Sequence, residues 1–344
     1  MGQYWRVKML NKPAEYLIDF TEARWLEVAA DKANKLSHIS KINGVFFQPN
    51  EKNEELFGYY KVISGDKVLF IKIVALQSAS THVMAEKIAK HLVKSGIKTI
   101  CCLPSFPIID NEHNLIILGY PFISSCYLET DAVTMGLVGA ELGKLHLSLS
   151  QFTDLITVKQ NSKRHLEFCL SNKNKLYSEL ANKHINAGKI EETIETLMIN
   201  EFISNPQVIH GDLNYGNILV SNPSKEVTFV DFEEATRSFF NPMIDVAMTI
   251  ERFIRTQKSK QDEAFIEFKK NYINMTGDWF KTSAQLPNIL RSLSARALLL
   301  LASITPENSS DWQIKERSKF LKLHQNAIEN SGRLSLWSRF EDTV

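Results

Sequence analysis

Two hydrophobic segments that lie close together in the chain carry a high density of oxygen-bearing side chains. The first covers residues 208–220 (VIHGDLNYGNILV) and the second covers residues 228–234 (TFVDFEE). Short apolar runs punctuated by Gly and Asn predict two strands joined by a turn. Within them, Asn217 follows Asp212 by five residues and Asp231 follows it by nineteen. The pattern predicts a strand-turn-strand package that presents carboxylate and amide oxygens together.

These residue types match part of what phosphoryl transfer requires. The reaction needs a carboxylate to orient the attacking hydroxyl, oxygen ligands for Mg²⁺, and positive charge near the moving phosphate. Asp212 is the candidate base, and Asn217 and Asp231 are the candidate magnesium ligands, because hard cations prefer oxygen. Each fragment alone is more simply a turn between strands. Their joint occurrence, in this order and at this spacing, favours the chemical interpretation.

At these residues the chain resembles the aminoglycoside phosphotransferase and choline kinase superfamily, small-molecule kinases built on a protein-kinase-like fold. The matching fragments are His210-Gly-Asp212, Asn217, and Val230-Asp-Phe-Glu233. Residues 142–146 (LGKLH) look like the helix after the hinge, and Asp245 looks like the aspartate that braces the catalytic loop. The resemblance covers about residues 55–255.

The resemblance implies an α+β fold with two lobes, a small N-lobe with an antiparallel sheet and a larger, mainly helical C-lobe. We expect an N-terminal accessory helix region in residues 1–38, the N-lobe in residues 39–123 and the C-lobe in residues 124–344. Periodicity and turn residues predict the N-lobe order β-β-β-α-β-β, at residues 42–48, 56–63, 67–76, 80–95, 106–110 and 115–118. Residues 20–37 predict a further helix, which precedes the resembling region.

Two departures from protein kinases favour a small-molecule acceptor. Protein kinases carry His-Arg-Asp and Asp-Phe-Gly at the corresponding places, whereas this chain has Gly211 and Glu233 in place of the Arg and the last Gly. Only eleven residues separate Glu233 from Asp245. This stretch is too short for a regulated activation loop and a peptide-docking segment.

Lys72 is the only charged residue in the apolar run 68–76. An unpaired buried ammonium is costly, so the side chain needs a partner or an escape to solvent at a sheet edge. The resemblance implies a pair with Glu86, the only acidic residue between positions 80 and 95. In kinase-like folds such a pair presents the ammonium to the α- and β-phosphates. We favour this pairing over the edge-strand alternative.

The nucleotide is expected beneath a short hinge near residues 119–123, and the hinge candidates for nucleotide contact are Gly119, Tyr120, Phe122 and Ile123. The donor is expected to be ATP or GTP, with Mg²⁺ as the cofactor. Residues 47–55 occupy the place of the phosphate loop but contain no glycine, unlike the Gly-x-Gly-x-x-Gly loop of protein kinases. We assign no residue of this loop.

Three further polar residues have less specific roles. His210 is predicted to brace the loop around Asp212, since a proton acceptor is already present there. His146, on an apolar helical face, is predicted to be a hydrogen-bonded core histidine. For Glu233 two alternatives remain, contact with magnesium or the catalytic loop, and a solvated carboxylate at a strand end.

Composition narrows the class of protein. With 40 basic and 39 acidic residues in 344, no net charge attracts nucleic acid or an anionic membrane. No apolar run is long enough to span a bilayer. The four cysteines lack Cys-x-x-Cys spacing and are expected to be reduced thiols in a cytoplasmic protein. The oligomeric state is left open.

The acceptor is expected to bind among residues 150–200 and 250–330, which show no decisive signature. Four aromatic residues could form a cage for a quaternary ammonium, although isolated tryptophans in helices usually pack in the core: Trp279, Phe280, Trp312 and Trp337. The balanced charge favours a neutral hydroxyl acceptor such as a sugar or an amino alcohol over an aminoglycoside-like polycation.

Two classes of function follow from these observations. The first is a phosphotransferase that moves the γ-phosphate of ATP or GTP to the hydroxyl of a small molecule. The alternative is a catalytically silent kinase-like protein that binds nucleotide or acts as a scaffold. The joint presence of Lys72, Asp212, Asn217 and Asp231 favours the enzyme, whereas the glycine-free loop favours the alternative.

Overall fold

The predicted α+β class is confirmed, since the chain contains both an antiparallel sheet and a series of helices. The computed structural model describes residues 25–49, 56–123, 128–185, 187–221, 225–256, 260–279, 285–304 and 311–338. The chain divides into two compact units. The sheet unit comprises residues 1–129 and 214–233, and the helical unit comprises residues 130–213 and 234–344. The chain thus returns to the sheet unit after residue 213.

Six strands form the sheet of the sheet unit, in the order β1-β2-β3-β4-β6-β5 with every neighbouring pair antiparallel. They are β1 (Leu26–Glu27), β2 (Val45–Gln48), β3 (Gly58–Ser64), β4 (Lys67–Ala75), β5 (Ile108–Asp110) and β6 (Leu115–Pro121). The five predicted strands correspond to β2 through β6. Because β4 lies between β3 and β6, Lys72 is paired in register with Tyr59 on one side and Leu118 on the other.

Two helices accompany this sheet, α1 (Ala30–Ser40) and α2 (Ala79–Lys94), the latter preceded by a 3-10 turn (Leu76–Ser78). The helix predicted for residues 20–37 is wrong in its bounds, because residues 26–27 pair with β2 as a strand and the helix continues to Ser40. The amide of Val28 donates to the carbonyl of Phe46 at 3.0 Å. This edge pairing overrides the local helical period. Residues 20–24 lie outside the described residues.

The helix α1 packs on the sheet, as expected for an accessory element. Leu36 and Ile39 of α1 join a buried cluster with sheet residues, among them Phe46, Tyr60 and Ile71. All of these side chains lie on one face of the sheet because alternate strand residues point to the same side.

The predicted strand-turn-strand package is a hairpin of β8 (Ile218–Val220) and β9 (Val227–Phe229). It joins the rest of the sheet unit through the amide of Phe229, which donates to the carbonyl of Lys98 at 3.3 Å. At its open end the amide of Val230 donates to the carbonyl of Asn217 at 3.0 Å. The pairing therefore places Asn217 and Asp231 at the same end of the hairpin.

The helical unit contains ten helices within its described residues. These are α3 (Ala132–Ser150), α4 (Leu155–Ser171), α5 (Lys173–Asn182), α6 (Gly188–Glu192), α7 (Met198–Ile203), α8 (Met243–Thr249), α9 (Gln261–Thr276), α10 (Gln285–Ala302), α11 (Asp311–Glu329) and α12 (Ser331–Ser338). π-helical turns (Thr193–Leu197 and Ile250–Ile254), a 3-10 turn (Glu234–Arg237) and the strand pair β7 (Gln207–Val208) and β10 (Phe239–Phe240) connect them. None of the helices described combines the length and apolarity that a bilayer crossing requires.

Close packing of α3 on α9 brings two polar side chains together. A Cβ atom at Gly139 would lie 2.3 Å from the carbonyl oxygen of Phe268, so only glycine allows this approach. One turn further along α3, a Cβ atom at Gly143 would meet the Cβ of Met275 at 2.7 Å. The approach lets the hydroxyl of Tyr272 reach Nδ1 of His146 at 2.8 Å.

Candidate active site

A cavity that is partly open to solvent lies within the sheet unit. Most of the sequence-predicted residues of this unit line it: Lys72, Glu86, Tyr120, Phe122, Ile123, Asn217 and Asp231. Gly119 does not line it. A Cβ atom at Gly119 would lie 2.4 Å from the ring of Phe106, so this glycine makes room for an aromatic side chain.

The side chain of Lys72 is buried, with 7% of the residue exposed. Since β4 is an interior strand, the ammonium does not escape at a sheet edge. It is ion-paired with the carboxylate of Glu233 and lies 3.6 Å from Oδ1 of Asp231. Burial alone would lower the pKa of Lys72, but Asp231, Tyr59 and Glu233 outweigh it and raise the pKa. The lysine is therefore a fixed positive charge in the cavity.

The salt bridge predicted between Lys72 and Glu86 is not formed in this structure. Oε2 of Glu86 accepts a hydrogen bond from the amide of Cys102 at 2.9 Å, and its carboxylate is also hydrogen-bonded to Tyr120. Burial and the nearby Glu86 charge raise the pKa of Tyr120 well above its ordinary value. The amide and hydroxyl donors beside Glu86 thus replace the ammonium as its partners.

Glu233 is the carboxylate that holds Lys72, a contact that neither of the two sequence alternatives included. Its Oε1 also lies 3.3 Å from Nδ1 of His82, a buried residue near the start of α2. Burial would raise the pKa of Glu233, but the charge of Lys72 and the hydrogen bond from His82 lower it far more. Glu233 is therefore an ionised carboxylate that bridges a strand and a helix.

The side chains of Asn217 and Asp231 carry the oxygen atoms that Mg²⁺ prefers as ligands. Both line the cavity, and the side chain of Asp231 is 40% exposed there. The backbone of Asp231 lies in the left-handed region with φ of 65°, a conformation uncommon for residues other than glycine and seen at functional sites. No group of three or more His, Cys, Asp or Glu side chains suited to a metal occurs among the described residues. One carboxylate and one amide suit Mg²⁺, which usually keeps waters and phosphate oxygens as its other ligands.

In the helical unit, residues 209–213, here called the Asp212 loop, are held by Asp245. This carboxylate is fully buried and accepts hydrogen bonds from the amides of His210 at 2.8 Å and Gly211 at 2.9 Å. Nε2 of His146 lies 3.2 Å from the same carboxylate. The bracing role that the resemblance implied for Asp245 is thus present, and His146 is a buried core histidine, as predicted.

The other two residues before Asp212 shape the loop. His210 is fully buried, and its Nδ1 accepts a hydrogen bond from the amide of Asp212 at 3.4 Å. Gly211 has φ of 80°, and a Cβ atom there would lie 2.3 Å from Oγ of Ser238. Both the backbone conformation and the neighbouring side chain therefore require glycine at this position.

Asp212 itself has a cationic neighbour that sequence reasoning missed. Nη1 of Arg252 donates to Oδ1 of Asp212 at 3.0 Å and to the carbonyl of Leu213 at 2.6 Å. The side chains of Asp212 and Arg252 are 39% and 32% exposed. Forty positions separate these residues, so no local pattern in the sequence indicates this contact.

The comparisons with known proteins agree with this arrangement. The model of the phosphotransferase enzyme family matches residues 134–283. A spectinomycin phosphotransferase is 16% identical, with a TM-score of 0.59 over 89% of this chain and 98% of its own. A microcompartment-associated aminopropanol kinase is 14% identical, with a TM-score of 0.56 over 90% and 99%. The choline kinase LicA from Streptococcus pneumoniae is 14% identical, with a TM-score of 0.51 over 85% and 97%.

The chain shares the fold of these three small-molecule kinases. The predicted resemblance and the predicted kinase-like fold are therefore confirmed. The search of curated protein sequences gave no significant match. At these identities the structural similarity establishes the fold, and the roles of individual residues have to be argued from the site of this chain itself.

Two aromatic residues of the cavity were also missed. Tyr59 and Phe70 line it, with their rings stacked at 5.8 Å between centroids. The ammonium of Lys72 lies 5.6 Å from the ring centroid of Tyr59. The sequence does contain a signal for them, because Phe70 and Lys72 alternate on one strand and Tyr59 pairs with Lys72 across β3 and β4.

Proposed function

We propose that this protein is a small-molecule kinase, which transfers the γ-phosphoryl group of ATP or GTP to a hydroxyl of a metabolite-sized acceptor. The observation that supports this most is the shared cavity of Lys72, Asn217 and Asp231. A buried ammonium and two oxygen-bearing side chains in one space are the groups that a magnesium nucleotide needs. The confirmed kinase-like fold supports the same class of enzyme.

In the proposed reaction Asp212 accepts the proton of the acceptor hydroxyl. Asn217 and Asp231 hold Mg²⁺, which neutralises phosphate charge when it is bound. Lys72 binds phosphate oxygens, and Tyr59 and Phe70 supply the aromatic wall of the nucleotide site. Asp245 keeps Asp212 in place through the amides of His210 and Gly211.

The acceptor is proposed to be a small alcohol rather than a protein. The residues between Glu233 and Asp245 are occupied by a 3-10 turn (Glu234–Arg237) and by the two-residue strand β10. No peptide-docking segment fits in this short connection.

Among the residues considered for an aromatic cage, Trp279 and Trp337 are buried core side chains. Nε1 of Trp279 donates to the carbonyl of Trp337 at 3.1 Å, and Trp337 stacks on Phe265 at 4.4 Å. The side chains of Phe280 and Trp312 lie outside the described residues. A neutral alcohol therefore remains the preferred acceptor, and spectinomycin, aminopropanol and choline are the first compounds to compare with it.

A catalytically silent nucleotide-binding protein or scaffold is the second candidate. One observation favours it, namely that Lys72 is paired with Glu233 and not with Glu86. An enzyme must release this lysine to the nucleotide phosphates, whereas a scaffold need not.

The deciding experiment combines binding and turnover. Mg²⁺-dependent binding of ATP and GTP is measured by calorimetry, and phosphate transfer is followed by ³¹P NMR with hexoses, homoserine, aminopropanol, choline and aminoglycosides. The proposal expects a phosphorylated small alcohol with the wild-type protein and none with Lys72→Met. Magnesium-dependent binding with no transfer to any alcohol would support the scaffold. Robust transfer to protein substrates alone would contradict the proposed acceptor class.

A further inference from the structure

Phosphoryl transfer needs positive charge beside the group that moves, and the two segments of the sequence that carry the site do not supply it. Residues 210–217 and 228–234 contain no Lys and no Arg. Lys72 is assigned to the α- and β-phosphates, which stay with the departing nucleotide. Besides Mg²⁺, a further cation at the position of the γ-phosphoryl group would stabilise the charge on its oxygens.

Arg252 is the cation that the structure places beside the proposed base. One nitrogen of its guanidinium, Nη1, bonds both Oδ1 of Asp212 and the carbonyl oxygen of Leu213. About a third of each side chain remains exposed, so the pair is open to an incoming ligand. A fully buried structural ion pair would not leave this surface accessible.

The position of Arg252 is fixed by the segment that also braces the Asp212 loop. The helix α8 carries Asp245 in its first turn and continues into the π-helical turn Ile250–Ile254. Three apolar residues of that turn are fully buried and anchor it: Ile250, Phe253 and Ile254. Single π-helical turns inside helices are frequent at functional sites. One continuous segment thus holds both the backbone of the loop and the guanidinium beside its carboxylate.

The chemistry of the reaction places the phosphoryl group within reach of this guanidinium. The acceptor oxygen that gives its proton to Asp212 is the atom that bonds to the γ-phosphorus. That oxygen lies about 2.7 Å from the carboxylate, the length of an O–H···O hydrogen bond. A guanidinium whose nitrogen lies 3.0 Å from the same carboxylate has further N–H donors that can reach the phosphoryl oxygens. Its planar set of donors suits phosphate oxygens better than an ammonium does.

We propose that Arg252 is a catalytic residue that binds the oxygens of the γ-phosphoryl group during its transfer. The inference rests on the proposed function. In the step, the acceptor oxygen forms a bond to the γ-phosphorus, and the bond from that phosphorus to the bridging oxygen breaks. The nucleoside diphosphate leaves with the electron pair of that bond. The acceptor proton passes to Asp212, and Arg252 keeps all of its protons.

The test uses the full chain and a phosphoryl mimic, so that it does not depend on the identity of the acceptor. The affinity for Mg²⁺·ADP is measured by calorimetry with and without aluminium fluoride, which adopts the planar form of the transferring group. The variants are Arg252→Gln and Arg252→Lys. The matched control is Arg333→Gln, which removes an exposed arginine paired with Asp262 at 2.9 Å.

For wild-type protein and for the control we expect aluminium fluoride to tighten the complex at least about a hundredfold, as binding of a transition-state analogue does. Arg252→Gln should lose most of that gain while its affinity for Mg²⁺·ADP alone changes less than about threefold. Arg252→Lys should keep part of the gain, since it keeps the charge without the planar fork. With an active acceptor, kcat of Arg252→Gln should fall about 10³-fold, and added guanidinium should restore part of it.

Full retention of the aluminium fluoride gain in Arg252→Gln would overturn the inference. The inference would also be overturned if Arg252→Gln lost the same affinity for Mg²⁺·ADP with and without aluminium fluoride, because an equal loss would indicate a structural role. Wild-type protein that binds Mg²⁺·ADP without any gain from aluminium fluoride would also overturn it, although nucleotide binding would stand. If Arg252→Gln does not fold, the decision rests on Arg252→Lys. Wild-type protein that binds no magnesium nucleotide would contradict the proposed function itself.

Discussion

The ammonium of Lys72 is ion-paired with Glu233, a residue 161 positions later in the chain. Lys72 lies on an interior strand of the sheet, and Glu233 follows the hairpin that carries Asn217 and Asp231. His82 of α2 contacts the same carboxylate. The pair therefore ties the three elements of the cavity together and occupies the lysine that we propose for binding the nucleotide phosphates.

The first prediction concerns the charge of Glu233. We expect Glu233→Gln to tighten the binding of ADP in the absence of magnesium, because the carboxylate no longer repels phosphate or competes for Lys72. An effect of about 1 kcal/mol, or roughly fivefold in Kd, is expected for a partly solvated charge. Calorimetry in the presence of a chelator measures it. The control is Glu226→Gln, an exposed carboxylate of the same unit paired with Lys98. If Glu233→Gln bound ADP more weakly than the wild type, Glu233 would not be competing with phosphate for Lys72.

The second prediction separates the metal ligand from the base. Asp231→Ala should abolish the magnesium dependence of nucleotide binding, because one of the two proposed protein ligands is lost. Asp212→Asn should leave the Kd of Mg²⁺·ATP near that of the wild type and suppress transfer, since only the attacking hydroxyl loses its proton acceptor. Titration calorimetry and single-turnover rates distinguish the two effects. Equal losses of nucleotide affinity in both variants would show that the roles are divided wrongly.

The third prediction concerns Gly211 and uses Gly96 as its control. The φ values of Gly211 and Gly96 are 80° and 79°, so an alanine is strained by a similar φ at both sites. At Gly211 the added Cβ atom would also meet Ser238, whereas at Gly96 it would meet nothing within 4 Å. We expect Gly211→Ala to lower the free energy of unfolding by about 1–3 kcal/mol more than Gly96→Ala, the usual cost of overpacking. Urea denaturation measures the difference. The double variant Gly211→Ala/Ser238→Gly should recover most of it, and similar losses in the two single variants would contradict the clash.

The fourth prediction is an acid dependence of stability set by His165. Burial, with repulsion from Arg296 and Arg237, lowers the pKa of this histidine to about 3. The folded protein therefore keeps it neutral, while the unfolded chain protonates it below its ordinary pKa of 6.5. Its contribution to stability is complete above pH 6.5 and decreases as the pH falls towards 3.

His165→Gln keeps an acceptor for Arg296, whose Nη2 lies 3.0 Å from Nε2 of the histidine, but it does not titrate. Between pH 7 and pH 5 the free energy of unfolding should therefore fall about 2 kcal/mol less in this variant than in the wild type. Denaturant titrations at both values test this. The exposed His113, changed to Gln, is the control, and parallel losses in the wild type and His165→Gln would refute the assignment.

The sequence by itself determined the fold class and indicated Lys72, Asn217 and Asp231, which the structure brings to one cavity. Alternating apolar residues specify the strands, and a two-residue period fixes the register of the hairpin that places Asn217 and Asp231 at one end. The bracing aspartate, Asp245, was also recognisable from its motif. These features are local, because each depends on residues within a few positions of one another or on a motif with fixed spacing.

Only the tertiary structure decided which charges meet. Lys72 pairs with Glu233 and not with Glu86, and Arg252 reaches Asp212, in both cases across long stretches of chain. The partner of a buried charge depends on which side chains the packed elements bring within about 4 Å, since the Coulomb energy rises steeply as charges approach in a medium of low polarisability. Sequence spacing carries no information about such distances. Residues 26–27 show the same limit of sequence spacing. Their sequence follows a helical period, but their pairing with β2 makes them a strand.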